Sequence, residues 1–295
     1  MDNRLPAWLR QKLPSKEVLQ FSVSLKEKFK LNTICHSAKC PNSSDCFSRR
    51  HATFLILGDQ CTRNCKFCNV DHYKQGGQFL SIDSDEADRI AQAVKHYSLE
   101  HVVVTSVTRD DLSDGGAKHF ANTIDAIRRQ NSNIKVEVLI PDFMGCQKSL
   151  GLVVEKNPEI IAHNLETVRK IFPLVRDKAD YSRSLELLRN IKLLNPNQIT
   201  KSSIMVGLGE RQSDLRLALI DLRGVDCDML VLGQYLRPSL NQYPVEKFYT
   251  PEEFKFWQEL AYDLGFKSVC AFPFARTSYQ MKPKLSERCE AKFAG

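Results

Sequence analysis

The 295-residue sequence contains no long apolar run. Its longest apolar stretches, such as those within 53–57 and 102–104, fall far below the roughly 20 residues that a membrane-spanning helix requires. The first ten residues lack the basic head and apolar segment of a secretory signal, and no leader rich in Arg and Ser follows them. We therefore expect a cytoplasmic protein without a membrane partner.

Long blocks of like charge are also missing. The 42 Lys and Arg residues outnumber the 35 Asp and Glu residues by seven, but both signs are interspersed and no run of five like charges occurs. This distribution does not predict a nucleic-acid partner. Basic residues are denser near the two ends of the chain, a distribution that could steer an acidic protein partner, but we favour its interpretation as an ordinary solubilising surface.

Cysteine is too scarce for a disulfide scaffold. Ten cysteines in 295 residues lie well below the roughly 8–10% that is typical of small secreted scaffolds. In a reducing compartment, thiols bind metals or take part in catalysis more often than they form disulfides. The spacing of the cysteines therefore carries more information than their number.

Short β-branched and apolar runs alternate with segments of helical periodicity from residue 53 onward, a pattern typical of βαβ units. We predict a partial (β/α)6 barrel of the TIM type, because a full eightfold barrel of about 250 residues would nearly consume the chain. An open doubly wound sheet is the alternative, but no G-x-G-x-x-G motif follows a strand candidate. The strand candidates are 53–57, 101–105, 135–140, 159–163, 202–206 and 228–232, with a further strand within 266–271. The helix candidates are 87–97, 117–129, 182–194, 214–222 and 251–264.

Three regions are expected from this pattern: an N-terminal extension (1–50), the barrel core (51–272) and a C-terminal extension (273–295). In parallel α/β folds, ligands bind at the carboxyl ends of the strands. The residues that directly follow each strand candidate are therefore the candidates for a site.

Three cysteines follow the first strand candidate with the spacing C-x-x-x-C-x-x-C: Cys61, Cys65 and Cys68. Thiolates select zinc, copper(I) or iron–sulfur clusters. A structural zinc ion takes four ligands, whereas three cysteines on a four-iron cluster leave one iron open to a cofactor or substrate. The spacing favours the cluster. A zinc site completed by His72 or His51, or three unligated thiols, are the alternatives.

This motif resembles that of the radical S-adenosylmethionine superfamily. The resemblance implies that the open iron binds the amino and carboxylate groups of S-adenosylmethionine, whose reductive cleavage gives a 5'-deoxyadenosyl radical. No side chain is then needed as a catalytic acid or base, because cluster and cofactor carry the chemistry. The implied cofactor contacts are Asn164 and Glu166 after the fourth strand candidate, and Gly207 and Gly209 after the fifth. Helix capping at the first pair and simple strand termination at the second are the alternatives.

A second triplet, with spacing C-x4-C-x5-C, precedes the first: Cys35, Cys40 and Cys46. A zinc site completed by His36 is the alternative for these residues alone. Side by side, the two triplets resemble the lipoyl synthases, in which the N-terminal cysteines hold an auxiliary 4Fe-4S cluster. Further segments are similar to signatures of that family, in the same order: 5–9, 105–112 with 114–116, 137–143, 163–167, 201–202, 206–210 and 233–238.

The tail contains a candidate fourth ligand for the auxiliary cluster. Arg276-Thr277-Ser278-Tyr279 resembles the R-S-S-Y motif of the family, where a serine oxygen ligates that cluster. Thr277 replaces the first serine, so the resemblance assigns the ligand to Ser278, with the Thr277 hydroxyl as the alternative. Asp45 and Phe47 stand where the family tends to have Glu and Trp, a mild departure.

By this resemblance the chain is a lipoyl synthase, a sulfurtransferase that inserts two sulfur atoms at C6 and C8 of a protein-bound octanoyl-lysine. Two S-adenosylmethionine molecules are consumed per lipoyl group, and the auxiliary 4Fe-4S cluster donates the sulfur. The implied partners are the octanoylated lipoyl domains of 2-oxo acid dehydrogenase E2 subunits and the glycine cleavage H protein, a reductant such as ferredoxin or flavodoxin, and proteins that rebuild the spent cluster. Another radical sulfur-inserting enzyme, of the biotin synthase or methylthiotransferase kind, and a non-catalytic zinc-binding protein are the alternatives.

Overall fold

The computed structural model of the chain describes residues 5–10, 15–34, 40, 42, 45, 46, 49–73 and 81–279. Within these ranges, no helix combines the length and the apolar character needed to cross a bilayer.

An eight-stranded sheet forms the centre of the molecule. Its strands are, in their order across the sheet, β1 (Asn32–Thr33), β2 (His51–Ile56), β5 (His101–Ser106), β6 (Lys135–Leu139), β7 (Ile160–Ala162), β8 (Thr200–Val206), β9 (Met229–Gln234) and β10 (Ser268–Ala271), while β3 (Gln60–Cys61) and β4 (Asp71–His72) form a separate pair. The short β1 runs antiparallel to β2, and the other strands of the large sheet run parallel to one another. The predicted strands are all present, including the last one, and β1 and β10 form the edges of an incomplete barrel.

Helices occupy most of the connections between these strands. They are α1 (Lys16–Glu27), α2 (Glu86–His96), α3 (Ala117–Gln130), α4 (Gln147–Val154), α5 (Phe172–Val175), α6 (Tyr181–Leu194), α7 (Gln212–Arg223) and α8 (Pro251–Asp263). The five predicted helices are confirmed, and their starts follow local chemistry. At α8, for example, the Thr250 hydroxyl accepts a hydrogen bond from the Glu253 amide, and Pro251 occupies the first turn.

Of the α-helices named above from the described residues, three were not predicted: α1, α4 and α5. The α4 segment contains Gly151 and two valines in only eight residues, a composition with low intrinsic helix propensity. It is helical because Leu150, Val153 and Val154 are buried in the main apolar core. Tertiary packing therefore decides its conformation.

The two faces of the sheet differ in character. On β5, Val102 and Val104 belong to the main apolar core together with helix residues such as Ile90 and Ile124. Val103, on the opposite face, is in register with Glu137 of β6. Glu137 forms a buried ion pair with Lys201 of β8, so the inner face of the barrel carries charged side chains as well as apolar ones.

The N-terminal extension packs against the barrel at separate points. The Phe21 ring contacts the Tyr97 ring with centroids 4.4 Å apart, and Trp8 Nε1 donates to the Tyr249 carbonyl oxygen at 3.2 Å. β1 adds a strand to the edge of the sheet. The division at residues 50 and 272 stays a prediction.

Candidate active site

The loop that carries the first cysteine triplet begins directly after β2. Its backbone is tied to the loop that follows β5, because the amide and the hydroxyl of Thr62 both donate to the Thr108 carbonyl oxygen, at 2.9 and 3.0 Å. The same hydroxyl accepts from the Asp110 amide at 3.1 Å. A short pair of strands, β3 (Gln60–Cys61) and β4 (Asp71–His72), braces the loop from its other side. The thiols therefore lie at the carboxyl-end rim of the barrel, as predicted.

Arg63, between the first two cysteines of this triplet, is buried and anchors the loop. Its guanidinium donates to both carboxylate oxygens of Asp110, at 2.8 and 2.9 Å. It also donates to both oxygens of Asp142, at 3.1 and 2.6 Å, and Asp142 accepts a further bond from Arg183 at 2.8 Å. These two carboxylates hold the pKa of Arg63 above its usual range against the opposing effect of burial. Planar, two-point pairing of this kind fixes the position of the Arg63 side chain and also compensates its charge.

The sulfur atoms of the triplet receive backbone amides. The amides of Arg63 and Thr108 point at Cys61 Sγ, at 3.4 and 3.3 Å, and the Val70 amide points at Cys68 Sγ at 3.4 Å. Amide dipoles aimed at sulfur stabilise thiolates and tune iron–sulfur centres. Cys61, Cys65 and Cys68 form no disulfide and are half-buried, so their thiols are available as ligands, and three thiols on one loop are the donor type that suits an iron–sulfur cluster.

Burial favours the protonated form of two of these thiols. It raises the pKa of Cys65 and raises that of Cys68 to about 12. Metal thiolate bonds require deprotonated sulfur, so cluster assembly releases protons.

The two histidines considered as zinc ligands lie at different distances from the triplet. His51 begins β2, at the opposite end of the strand from the cysteine loop, and its ring contacts His101. His72 is exposed and is the register partner of Cys61. In the described part of the chain, no three His, Cys, Asp or Glu side chains converge closely enough to hold a single metal ion, and this includes the three cysteines of the loop.

Asn164 and Glu166 follow β7 at the same rim and contact each other. Asn164 Nδ2 donates to Glu166 Oε1 at 3.0 Å. Glu166 has a positive φ of 70° and still pairs with β8, since its amide donates to the Ser203 carbonyl oxygen at 2.9 Å. Burial raises the pKa of Glu166, and the nearby Arg176 opposes that effect. Their predicted role as cofactor contacts stays a prediction.

Gly207 and Gly209 follow β8 and differ in their surroundings. Gly207 is buried with a φ of 102°, and a Cβ there would overlap the Gln234 side chain. Its amide donates to Glu210 Oε1 at 2.7 Å. Gly209 is exposed with a φ of 98°. Close packing of protein atoms accounts for the glycine at 207, and the predicted adenine contact of both glycines stays a prediction.

The second triplet is described only in part. Cys35 and His36 lie outside the described residues, whereas Cys40 and Cys46 are half-buried. Burial raises the pKa of both thiols, that of Cys46 to about 12, and the Arg276 guanidinium opposes burial at Cys40. Asn42, between these cysteines, donates from Nδ2 to the Phe274 carbonyl oxygen at 2.6 Å. The N-terminal extension thus meets the C-terminal tail.

The tail motif is held on two sides. The Thr277 hydroxyl donates to Asn164 Oδ1 at 2.8 Å. The Tyr279 hydroxyl donates to Asp45 Oδ2 at 2.9 Å, next to Cys46 in sequence, and accepts from Arg49 Nη2 at 3.2 Å. Ser278 lies between these two anchors and is half-buried. The structure therefore brings Cys40, Cys46 and the tail motif into one region.

Several residues of this rim were not identified from the sequence, chiefly Arg63, Asp142 and Arg183. The only available signal was the position of Arg63 inside the cysteine motif and of Asp142 directly after a strand candidate. Nothing in the sequence specifies that Arg63 turns inward to meet both acids.

Known proteins of similar sequence show the family of the chain. The family model of the Radical SAM superfamily matches residues 55–221. Lipoyl synthase of Alkaliphilus metalliredigens is 47% identical over 289 residues, which cover 98% of each chain. Lipoyl synthase of Aquifex aeolicus is 47% identical over 270 residues, 90% of this chain and 96% of the relative. The chain belongs to the lipoyl synthase family.

This membership agrees with the fold. The crystal structure of methylornithine synthase (PylB) shares 14% identity, with a TM-score of 0.54 over 94% of this chain and 85% of that one, a likeness of fold alone. As a lipoyl synthase within the Radical SAM superfamily, the chain is a radical enzyme of sulfur insertion that uses a 4Fe-4S cluster and S-adenosylmethionine.

Proposed function

We propose that this chain converts a protein-bound octanoyl-lysine into lipoyl-lysine by inserting sulfur at C6 and C8. The observation that carries the proposal is 47% identity to a lipoyl synthase along 98% of both chains. The presence of both cysteine triplets and of the tail motif supports it. When bound, the clusters and S-adenosylmethionine supply a hydrogen-abstracting radical and the inserted sulfur.

Cys61, Cys65 and Cys68 would hold the cluster that binds S-adenosylmethionine, leaving one iron open. The amides that point at Cys61 and Cys68 stabilise thiolate charge. Arg63 fixes the loop to Asp110 and Asp142, which would keep the cysteines of the loop in place for the cluster. Asn164, Glu166, Gly207 and Gly209 would contact the cofactor, of which two molecules are used per lipoyl group.

Cys35, Cys40, Cys46 and Ser278 would hold the auxiliary cluster, the sulfur donor. Two contacts favour Ser278 over Thr277 as the oxygen ligand. The Thr277 hydroxyl is buried and donates to Asn164, whereas Ser278 follows it on the side of Tyr279 and Asp45. An alcohol oxygen binds iron less strongly than thiolate does, which suits a cluster that must be opened.

The substrates would be octanoylated carrier domains, namely those of 2-oxo acid dehydrogenase E2 subunits and the glycine cleavage H protein. The reaction also needs a reductant, such as ferredoxin or flavodoxin, and proteins that rebuild the auxiliary cluster. We propose that the enzyme works in the cytoplasm.

The decisive experiment is incubation of the anaerobically purified protein with S-adenosylmethionine, dithionite and an octanoylated H protein. We expect the carrier to gain the mass of two sulfurs less two hydrogens, and two four-iron clusters predict about eight irons per chain. C65A should abolish cleavage of S-adenosylmethionine, whereas S278A should retain cleavage and lose sulfur insertion. Cofactor cleavage by the wild type without any gain of sulfur would refute the proposal, and a colourless protein containing zinc would refute both clusters.

A further inference from the structure

A chain of two hydrogen bonds connects the tail motif to the end of β7. The Thr277 hydroxyl donates to Asn164 Oδ1 at 2.8 Å, and Asn164 Nδ2 donates to Glu166 Oε1 at 3.0 Å. Because the amide group must turn its NH2 toward the carboxylate, its oxygen faces Thr277, and the hydroxyl has to be the donor. Glu166 and Thr277 together thus hold the Asn164 side chain in one orientation.

The backbone fixes Thr277 in this place. The segment after β10 runs along the end of β9, where the Phe272 amide donates to the Leu232 carbonyl oxygen at 3.2 Å and the Gln234 amide donates to the Pro273 carbonyl oxygen at 3.0 Å. Thr277 itself is only 6% exposed. Its hydroxyl is therefore withdrawn from water, and loss of a hydrogen bond in such a place leaves its partner unsatisfied.

Tyr279, two residues further along the chain, contacts the N-terminal extension. Tyr279 bonds to Asp45, one residue before Cys46, and the Arg49 guanidinium lies 5.6 Å from the centre of the Tyr279 ring. Adjacent Cα atoms are about 3.8 Å apart, so Thr277 and Ser278 cannot move independently. One short segment, anchored at Thr277 and at Tyr279, thus connects the loop after β7 to the N-terminal extension.

We propose that Thr277 is a positioning residue that couples S-adenosylmethionine binding at Asn164 and Glu166 to the iron ligand at Ser278. The inference rests on the proposed function, which supplies those two roles. When the cofactor shifts Asn164 or Glu166, the Thr277 hydrogen bond passes the shift to Ser278. Because coupling between two sites is reciprocal, loss of the serine ligand must in turn change cofactor affinity.

The test measures equilibrium binding of S-adenosylmethionine by dialysis, without reductant, so that no turnover occurs. T277V removes the hydroxyl and keeps the shape of the side chain, and T277S restores the hydroxyl as the matched control. We expect T277V to raise the Kd about fivefold to tenfold, as one buried hydrogen bond implies, and T277S to bind like the wild type. In an S278A background, the effect of T277V should shrink, because the two substitutions interrupt one connection.

Two outcomes would overturn the coupling: equal Kd values for T277V and the wild type, or strictly additive effects of T277V and S278A. T277A removes the same hydroxyl without placing a methyl group against Asn164, and it takes the place of T277V if that variant does not fold. Failure of the coupling is distinct from failure of the proposed function. If the wild type binds the cofactor and converts the carrier while T277V has the same Kd as the wild type, only the coupling is refuted.

Discussion

At the scale of the residue, Arg63 shows how one side chain orders the cysteine loop after β2. Its side chain is 2% exposed and satisfies two carboxylates from the loops after β5 and β6. Removal of one partner from a buried ionic network leaves uncompensated charge, which costs roughly 3–5 kcal/mol. The stability of the loop therefore depends on a residue that is not a predicted ligand.

We expect R63M to lower the free energy of unfolding by about 3 kcal/mol or more and to reduce the iron content by up to one cluster. R63K should recover part of the stability, because an ammonium group keeps the charge but lacks the planar fork. R183M is the matched control, since Arg183 also binds Asp142 but is partly exposed and lies outside the cysteine loop. Urea unfolding and iron analysis measure both effects, and an R63M protein with full iron and unchanged stability would contradict this role.

The cysteines and the residues that follow each strand could be predicted from the sequence, because spacing and strand-end position are local patterns. The pairing of Thr277 with Asn164 could not, because the two residues are 113 positions apart and meet only through the path of the tail over β9. The inward turn of Arg63 depends in the same way on two separate loops. Local patterns thus identify the predicted ligands, and tertiary structure identifies what orients them.

At the scale of the element, the parallel strands could be predicted and helix α4 could not. Strands buried on both faces are short runs of apolar and β-branched residues between breaks, which β5 and β9 match. Helix α4 has neither a strong propensity nor a side-chain cap, so its helicity follows from packing against neighbouring helices.

The strand β9 leads to a prediction at Gly233, where the tail crosses the sheet. A Cβ at this position would overlap the Ala275 carbonyl oxygen and lie 3.0 Å from Arg276 Nη1. We expect G233A to destabilise the protein by about 1–3 kcal/mol, as overpacking typically does, and to reduce iron retention by pushing the tail motif away from the rim. Thermal unfolding and iron analysis measure the change.

G151A is the matched control for this substitution. Gly151 lies within α4 and a Cβ there meets no atom within 4 Å, so alanine should stabilise the helix by roughly 0.5–1 kcal/mol. If G233A and G151A behaved alike, close approach of the tail would not be the reason for glycine at 233.

At the scale of the whole molecule, the two ends of the barrel have different roles. The loop with Cys61, Cys65 and Cys68 lies at the carboxyl end of β2, whereas charged and polar side chains lie in the interior near the amino ends of the strands. Glu137 pairs there with Lys201, and His101 Nε2 lies 3.8 Å from Glu137 Oε2. His51 stacks edge-on against His101. Buried ionic groups of this kind add little net stability but respond strongly to pH.

His101 gives a prediction for acid sensitivity. Burial lowers its pKa to about 3, assisted by the positive charges of Lys201, His51 and Lys135. An unfolded chain binds a proton on this imidazole below about pH 6.5, whereas the folded chain does not until about pH 3, so stability falls as the pH falls through that window. A pKa difference of that size implies a loss of about 2 kcal/mol of folding stability between pH 7 and pH 5.

We expect H101Q to remove much of this pH dependence in urea unfolding. H96Q is the matched control, because His96 is exposed on α2, and it should leave the pH dependence intact. Equal slopes for H101Q and the wild type would show that the acid sensitivity arises elsewhere, for example at the buried His163, whose pKa is lowered to about 4 by burial.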